Sequence, residues 1–80
     1  MIHELKTIPD IWDALKTGVK TFDVRFNDRG FAVNDTLRLF RGTSREWMEM
    51  EYLDRKVTYI LAGGQFGIEP GYVVMGLGEV

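Results

Sequence analysis

Hydrophobic and polar positions change period several times along this chain, and each change marks an element. Phe22, Val24 and Phe26 alternate with Thr21, Asp23 and Arg25, the period of two expected of a strand over residues 20–26. This alternation sets the apolar side chains against a core and leaves Asp23 and Arg25 together on the opposite face. Upstream the period lengthens. Ile8, Ile11, Trp12 and Leu15 recur at spacings of three and four, which gives a helix one apolar face. Pro9 in its first turn, Asp10 near its start, Lys16 near its end and Gly18 beyond supply the matching start and stop signals. Ahead of the helix, residues 2–6 form a short strand with Ile2, Glu4 and Lys6 on one side and His3 and Leu5 on the other.

Downstream, Asn27-Asp28-Arg29-Gly30 and then Asn34-Asp35 have turn chemistry. Residues 36–41 predict a strand with Leu37 and Leu39 inward, and residues 42–45 a loop tip. From Trp47 to Leu61 there is neither glycine nor proline, and residues 57–61 are rich in β-branched and aromatic side chains. A long strand follows, with a bulge or bend expected near residues 53–55. Met48, Met50 and Tyr52 alternating with Glu49 and Glu51 favour a strand over the helix that the Glu and Met content of residues 44–53 also allows. Residues 63–71 are a glycine-punctuated loop, and residues 72–77 a final, largely buried strand. Strand, helix and four more strands predict an α+β, mainly β fold: a small, partly open β-barrel with one helix after the first strand, because closure protects the edges of so small a sheet.

Eighty residues make one domain, spanning 1–80, and a chain of this size buries only about 60% of its unfolded surface. The core is therefore thin. Apolar residues at 45% still suffice for an independent fold, and the absence of cysteine excludes disulfides and thiolate metal sites. No segment has the basic-then-apolar pattern of a signal peptide or the length of a membrane span, so a cytoplasmic protein without membrane contact is expected. A formal charge of -2 opposes loose adsorption to duplex nucleic acid. Local binding remains open, since Lys20, Arg25, Arg29, Arg38, Arg41 and Arg45 precede the acidic cluster Glu46, Glu49 and Glu51 and permit a small basic cleft.

The run His3-Glu4-Leu5-Lys6, the helix, residues 18–29, Val33-Asn34-Asp35-Thr36-Leu37, residues 55–61, residues 63–68 and Gly71-Tyr72-Val73-Val74-Met75 together resemble the ASCH-type domains of the PUA-like superfamily, in particular a small uncharacterised bacterial and phage branch. The resemblance spans nearly the whole chain in order. It implies a PUA-like barrel whose cleft carries a Gly-x-Lys-x-x-acid-x-Arg motif, here Gly18, Lys20, Asp23 and Arg25, proposed in the wider group to bind RNA or a nucleotide. Two positions depart from the pattern: Asp23 stands where glutamate is common, one methylene shorter, and Asn34 stands where a turn glycine is expected. Asparagine tolerates left-handed backbone angles.

Lysine and arginine donate hydrogen bonds while a carboxylate accepts them, so Lys20, Asp23 and Arg25 can grip a phosphate or a base amino group. Arg29, Asn27 and Gln65 are further candidates for the same ligand, and His3 is expected beside the same barrel mouth. Trp12, Phe31, Trp47, Phe66 and Tyr72 are aromatic enough to stack a base, although core packing is the commoner use of each. The glycines around Gln65 lack a phosphate-loop pattern, so residues 63–67 are a plain loop from which Gln65 can still read a base edge. A lone histidine without cysteine argues against a metal, and no cofactor is expected. The function expected is a module binding RNA or a nucleotide-like molecule, not an enzyme. On that basis Lys20→Ala or Arg25→Ala weakens binding by about 1–3 kcal/mol and barely affects folding. Two alternatives stand beside it. Some ASCH-type proteins hydrolyse an acylated cytosine nucleoside with a threonine where Asp23 stands, which makes an amidohydrolase the second reading despite that replacement. A protein-interaction module, using a sheet edge or residues 46–51, is the third.

Overall fold

A computed structural model describes residues 1–44 and 50–80. Its elements follow the predicted order: β1 (Ile2–Thr7), α1 (Pro9–Thr17), β2 (Phe22–Phe26), β3 (Thr36–Arg41), β4 (Tyr52–Ala62) and β5 (Tyr72–Gly78). Arg45, Glu46, Trp47, Met48 and Glu49, with the start of the expected long strand and half of its helical alternative, lie outside the described residues.

The five strands form one curled sheet in the order β1-β3-β4-β5-β2, a mainly β, partly open barrel with a single helix. β1 runs parallel to β3, and all other neighbours are antiparallel. The two edges, β1 and β2, are consecutive strands, so α1 carries the chain from one edge of the sheet to the other. Pro9 opens the helix, and Gly18, at φ 84° in the left-handed region, ends it. Trp12 and Leu15 are fully buried in the hollow of the sheet with Leu5, Leu37, Leu39, Val57, Val73 and Met75. The Trp12 indole N–H donates to the Leu39 carbonyl oxygen at 2.7 Å, and Arg41 on β3 grips Asp13 through two bonds of 2.8 and 3.0 Å. One face of the helix is thus fixed to β3 by both packing and charge.

β2 departs from expectation. Its register pairs Asp23 with Met75 and Arg25 with Val73, and both β5 partners are core residues. Asp23 and Arg25 therefore face the interior, and Asp23 is only 4% exposed, while Phe22, Val24 and Phe26 lie on the outer face, 45–54% exposed. Alternation defines two faces without saying which is inside. Here the inner side of this edge strand meets the polar edge of β1, where charge finds partners, instead of the apolar centre of the sheet. The irregularity in β4 also lies elsewhere than expected, between Val57 and Tyr59, where one extra residue locally turns the strand.

Candidate functional site

The motif residues converge on the Asp23 carboxylate. Arg25 Nε donates to its Oδ2 at 2.7 Å, and Lys20 Nζ lies 3.6 Å from its Oδ1. Lys20 reaches that place because α1 closes with its backbone N–H on the Ala14 carbonyl at 3.0 Å, and its ammonium also sits 4.6 Å from the Phe22 ring centre. Arg25 does more than pair. Its Nη1 donates to the Lys6 carbonyl at 2.9 Å and its Nη2 to the Thr7 hydroxyl at 3.1 Å, so one guanidinium spans the seam between β2 and β1. Arg29 repeats the connection further along, donating to the Glu4 carbonyl at 3.1 Å.

Two hollows flank this cluster. One, of about 270 Å³, lies between the end of α1 and the end of β5; Lys20, Thr21, Arg55 and Glu79 supply its polar walls. The other, of about 170 Å³, is lined by Asp23 and Arg25 with Lys6, Thr7, Ile8 and Thr43 among its neighbours. The three motif side chains meet, but Lys20 opens onto the first hollow while Asp23 and Arg25 open onto the second. Together the walls present ammonium, guanidinium, hydroxyl and carboxylate groups, a set that can both donate to and accept from a small polar ligand.

The remaining candidates have other surroundings. The Asn27 side chain accepts from the Phe31 backbone N–H at 2.9 Å, which closes the turn after β2. Gln65 donates to the Ala62 carbonyl at 2.8 Å within its own loop. His3 is buried, with Nε2 2.8 Å from Asp35 Oδ2 and its ring edge-on to Phe31 at 4.8 Å. Since an ionised carboxylate only accepts, that nitrogen carries the hydrogen. Among the aromatics, Trp12 and Phe31 are core residues, Phe66 is exposed, Tyr72 lies edge-on to Phe26 at 5.4 Å, and Trp47 lies outside the described residues.

Two residues not expected from the sequence tie elements together, Arg55 beside the larger hollow and Asp35 at the start of β1, away from the cluster. Arg55 donates from Nη1 to the Asp54 carbonyl and from Nη2 to the Leu15 carbonyl, at 2.9 and 3.2 Å, tying β4 to the end of α1 while it lines the larger hollow. Asp35 collects His3, the amino terminus at 3.2 Å and the Ala32 backbone N–H at 3.0 Å. Its pKa lies below 3.8, foremost because of the His3 bond. Aspartate following asparagine in a turn was the available signal for Asp35; for Arg55, nothing local distinguishes it from a surface arginine in a strand. Of the cations expected to make a basic cleft, Arg38 is neutralised by a bidentate bond to Asp54 at 3.0 Å and Arg41 by Asp13, Lys20 and Arg25 share Asp23, and Arg45 lies outside the described residues.

Among the described residues no helix is long and apolar enough to cross a membrane. The chain matches no curated protein. A family model described as a domain of unknown function, DUF3850, matches residues 2–77, a span that takes in the helix, every strand but the last residue of β5 and the whole Lys20-Asp23-Arg25 cluster, and the chain belongs to that family.

Proposed function

We propose that this domain is a binding module of the ASCH type, within the PUA-like superfamily, and that it recognises a nucleoside-sized polar group, free or within RNA, beside Asp23. The observation that carries this reading is the inward-facing Asp23 carboxylate, held by Lys20 and Arg25 between two hollows whose walls mix polar and apolar groups. Each hollow is smaller than the roughly 300–1,000 Å³ of most ligand pockets, which suits one base or nucleoside and not an extended strand. The neutralised cations around it favour a ligand with few phosphates in contact.

The test is a calorimetric or NMR titration with nucleosides, nucleotides and short single-stranded RNA at several salt concentrations. Saturable binding with a shallow salt slope is expected, and Lys20→Ala should weaken it by about 1–3 kcal/mol. Absence of binding by all three ligand types would refute the reading. A hydrolase is supported by one specific observation: Lys20 and Thr21 line the same hollow, and both precede β2, so strand alternation does not hold them on opposite faces. Release of the acyl group from an acylated cytidine, abolished by Thr21→Val, would turn the assignment from binding to catalysis.

A further inference from the structure

On the outer face of the sheet, opposite Asp23 and Arg25, the register aligns apolar residues in rows across three strands. Tyr59, Gly76 and Phe22 form one row, Leu61, Val74 and Val24 the next, and Tyr72 with Phe26 the third. None of these eight positions is charged in a chain whose residues are 28% charged. Tyr59 is 65% exposed, Tyr72 37%, and the β2 residues about half. A shallow hollow of about 400 Å³ lies beside the middle row, where Glu69 is the one charged lining residue among those described. With aromatic side chains offering about 150–250 Å² each, the exposed part of the grid amounts to roughly 500 Å², at the upper end of what monomers leave uncovered.

We infer that this face is the two-fold interface of a homodimer. An interface of this symmetry sets a patch against itself, so any charge near the axis meets its own copy; a surface that closes this way must be neutral at its centre. The grid meets that condition. Two copies would bury about 1,000 Å², the threshold for specific association, and such pairing suits a small domain with a thin core. A single-stranded nucleic acid fits less well, since stacking aromatics on such surfaces work with cations that track the phosphates, and the cation at the rim of the grid, Lys20 against the Phe22 ring, is paired with Asp23.

Sedimentation velocity of the full chain over a wide concentration series tests the inference, with Tyr59→Glu, Val24→Lys and, as a control, Val33→Glu, an exposed turn valine away from the grid. The wild type and the control should form a concentration-dependent dimer. Both grid variants should weaken it by at least about tenfold, with wild-type circular dichroism, and because they add opposite charges, net charge cannot explain a shared loss. A wild type that stays monomeric at every concentration, or a dimer unaffected by both grid variants, would overturn the inference. NMR shifts on Tyr59 and Val24 caused by an RNA oligonucleotide, with the protein monomeric, would overturn it in favour of a nucleic-acid platform.

Discussion

A guanidinium on the inward side of an edge strand persists only where each desolvated N–H finds an acceptor. Arg25 satisfies this with the Asp23 carboxylate, the Lys6 carbonyl and the Thr7 hydroxyl. Its partners belong to both edges of the sheet, so it links β1 to β2 where the strand order provides no backbone ladder. Arg25→Ala would leave Asp23 buried with Lys20 as its nearer remaining cation, at 3.6 Å, and would strip donors from β1. Urea unfolding should show a loss of about 1–3 kcal/mol, where the sequence alone led to the expectation that this replacement barely affects folding. Arg25→Lys should recover little, because an ammonium cannot reach three acceptors in a planar fork. Lys20→Ala should be milder, since Arg25 remains on the carboxylate. Wild-type stability in Arg25→Ala would refute the seam role.

Between strands, backbone space decides as much as side-chain contact. The loop joining β4 to β5 turns back so tightly that Gly63 donates to the Tyr72 carbonyl at 2.7 Å and Gly64 to the Ile68 carbonyl at 2.8 Å. A methyl group on Gly63 would collide with the Glu69 and Tyr72 carbonyl oxygens, whereas one on Gly64 meets nothing closer than Pro70 at 4.0 Å. Gly64 is instead held at φ 85°. Thermal melts should therefore rank Gly63→Ala as the worse substitution, at about 2–3 kcal/mol against about 1 kcal/mol for Gly64→Ala; the reverse order would mean that the loop relaxes. Both residues look alike in the sequence. What was legible there is what local chemistry determines: the helix from its spacing and its Gly18 stop, the strand over Thr36–Arg41, the left-handed Asn34 at φ 77°, and the Lys20, Asp23 and Arg25 cluster itself. What was not legible depends on the register of distant strands. The inward face of β2, the bulge after Val57 and the bond from Arg55 to the end of α1 all arise from how the sheet curls, which a period of two leaves undetermined.

Across the whole molecule, charge works mainly as a set of clamps between elements that are distant in sequence. Asp13 fixes α1 to β3 through Arg41, and Asp35 fixes the start of β1 to the turn before β3 through His3 and the amino terminus. Both carboxylates lie below 3.8 when folded, Asp13 foremost through its Arg41 hydrogen bond and Asp35 foremost through His3. A depressed folded value means that the unfolded chain binds protons first as pH falls, so the stability these groups contribute is complete only well above the unfolded value and is lost as pH drops through their folded values. Urea midpoints should accordingly be level with respect to these two groups above about pH 5 and fall on the acid side. Asp13→Asn combined with Asp35→Asn should lower the plateau yet flatten the acid limb, because asparagine keeps the shape and has no proton to take up. The slope, not the plateau, is diagnostic: a double variant whose acid limb runs parallel to that of the wild type would place the proton linkage in other carboxylates and leave these two as hydrogen-bonding groups alone.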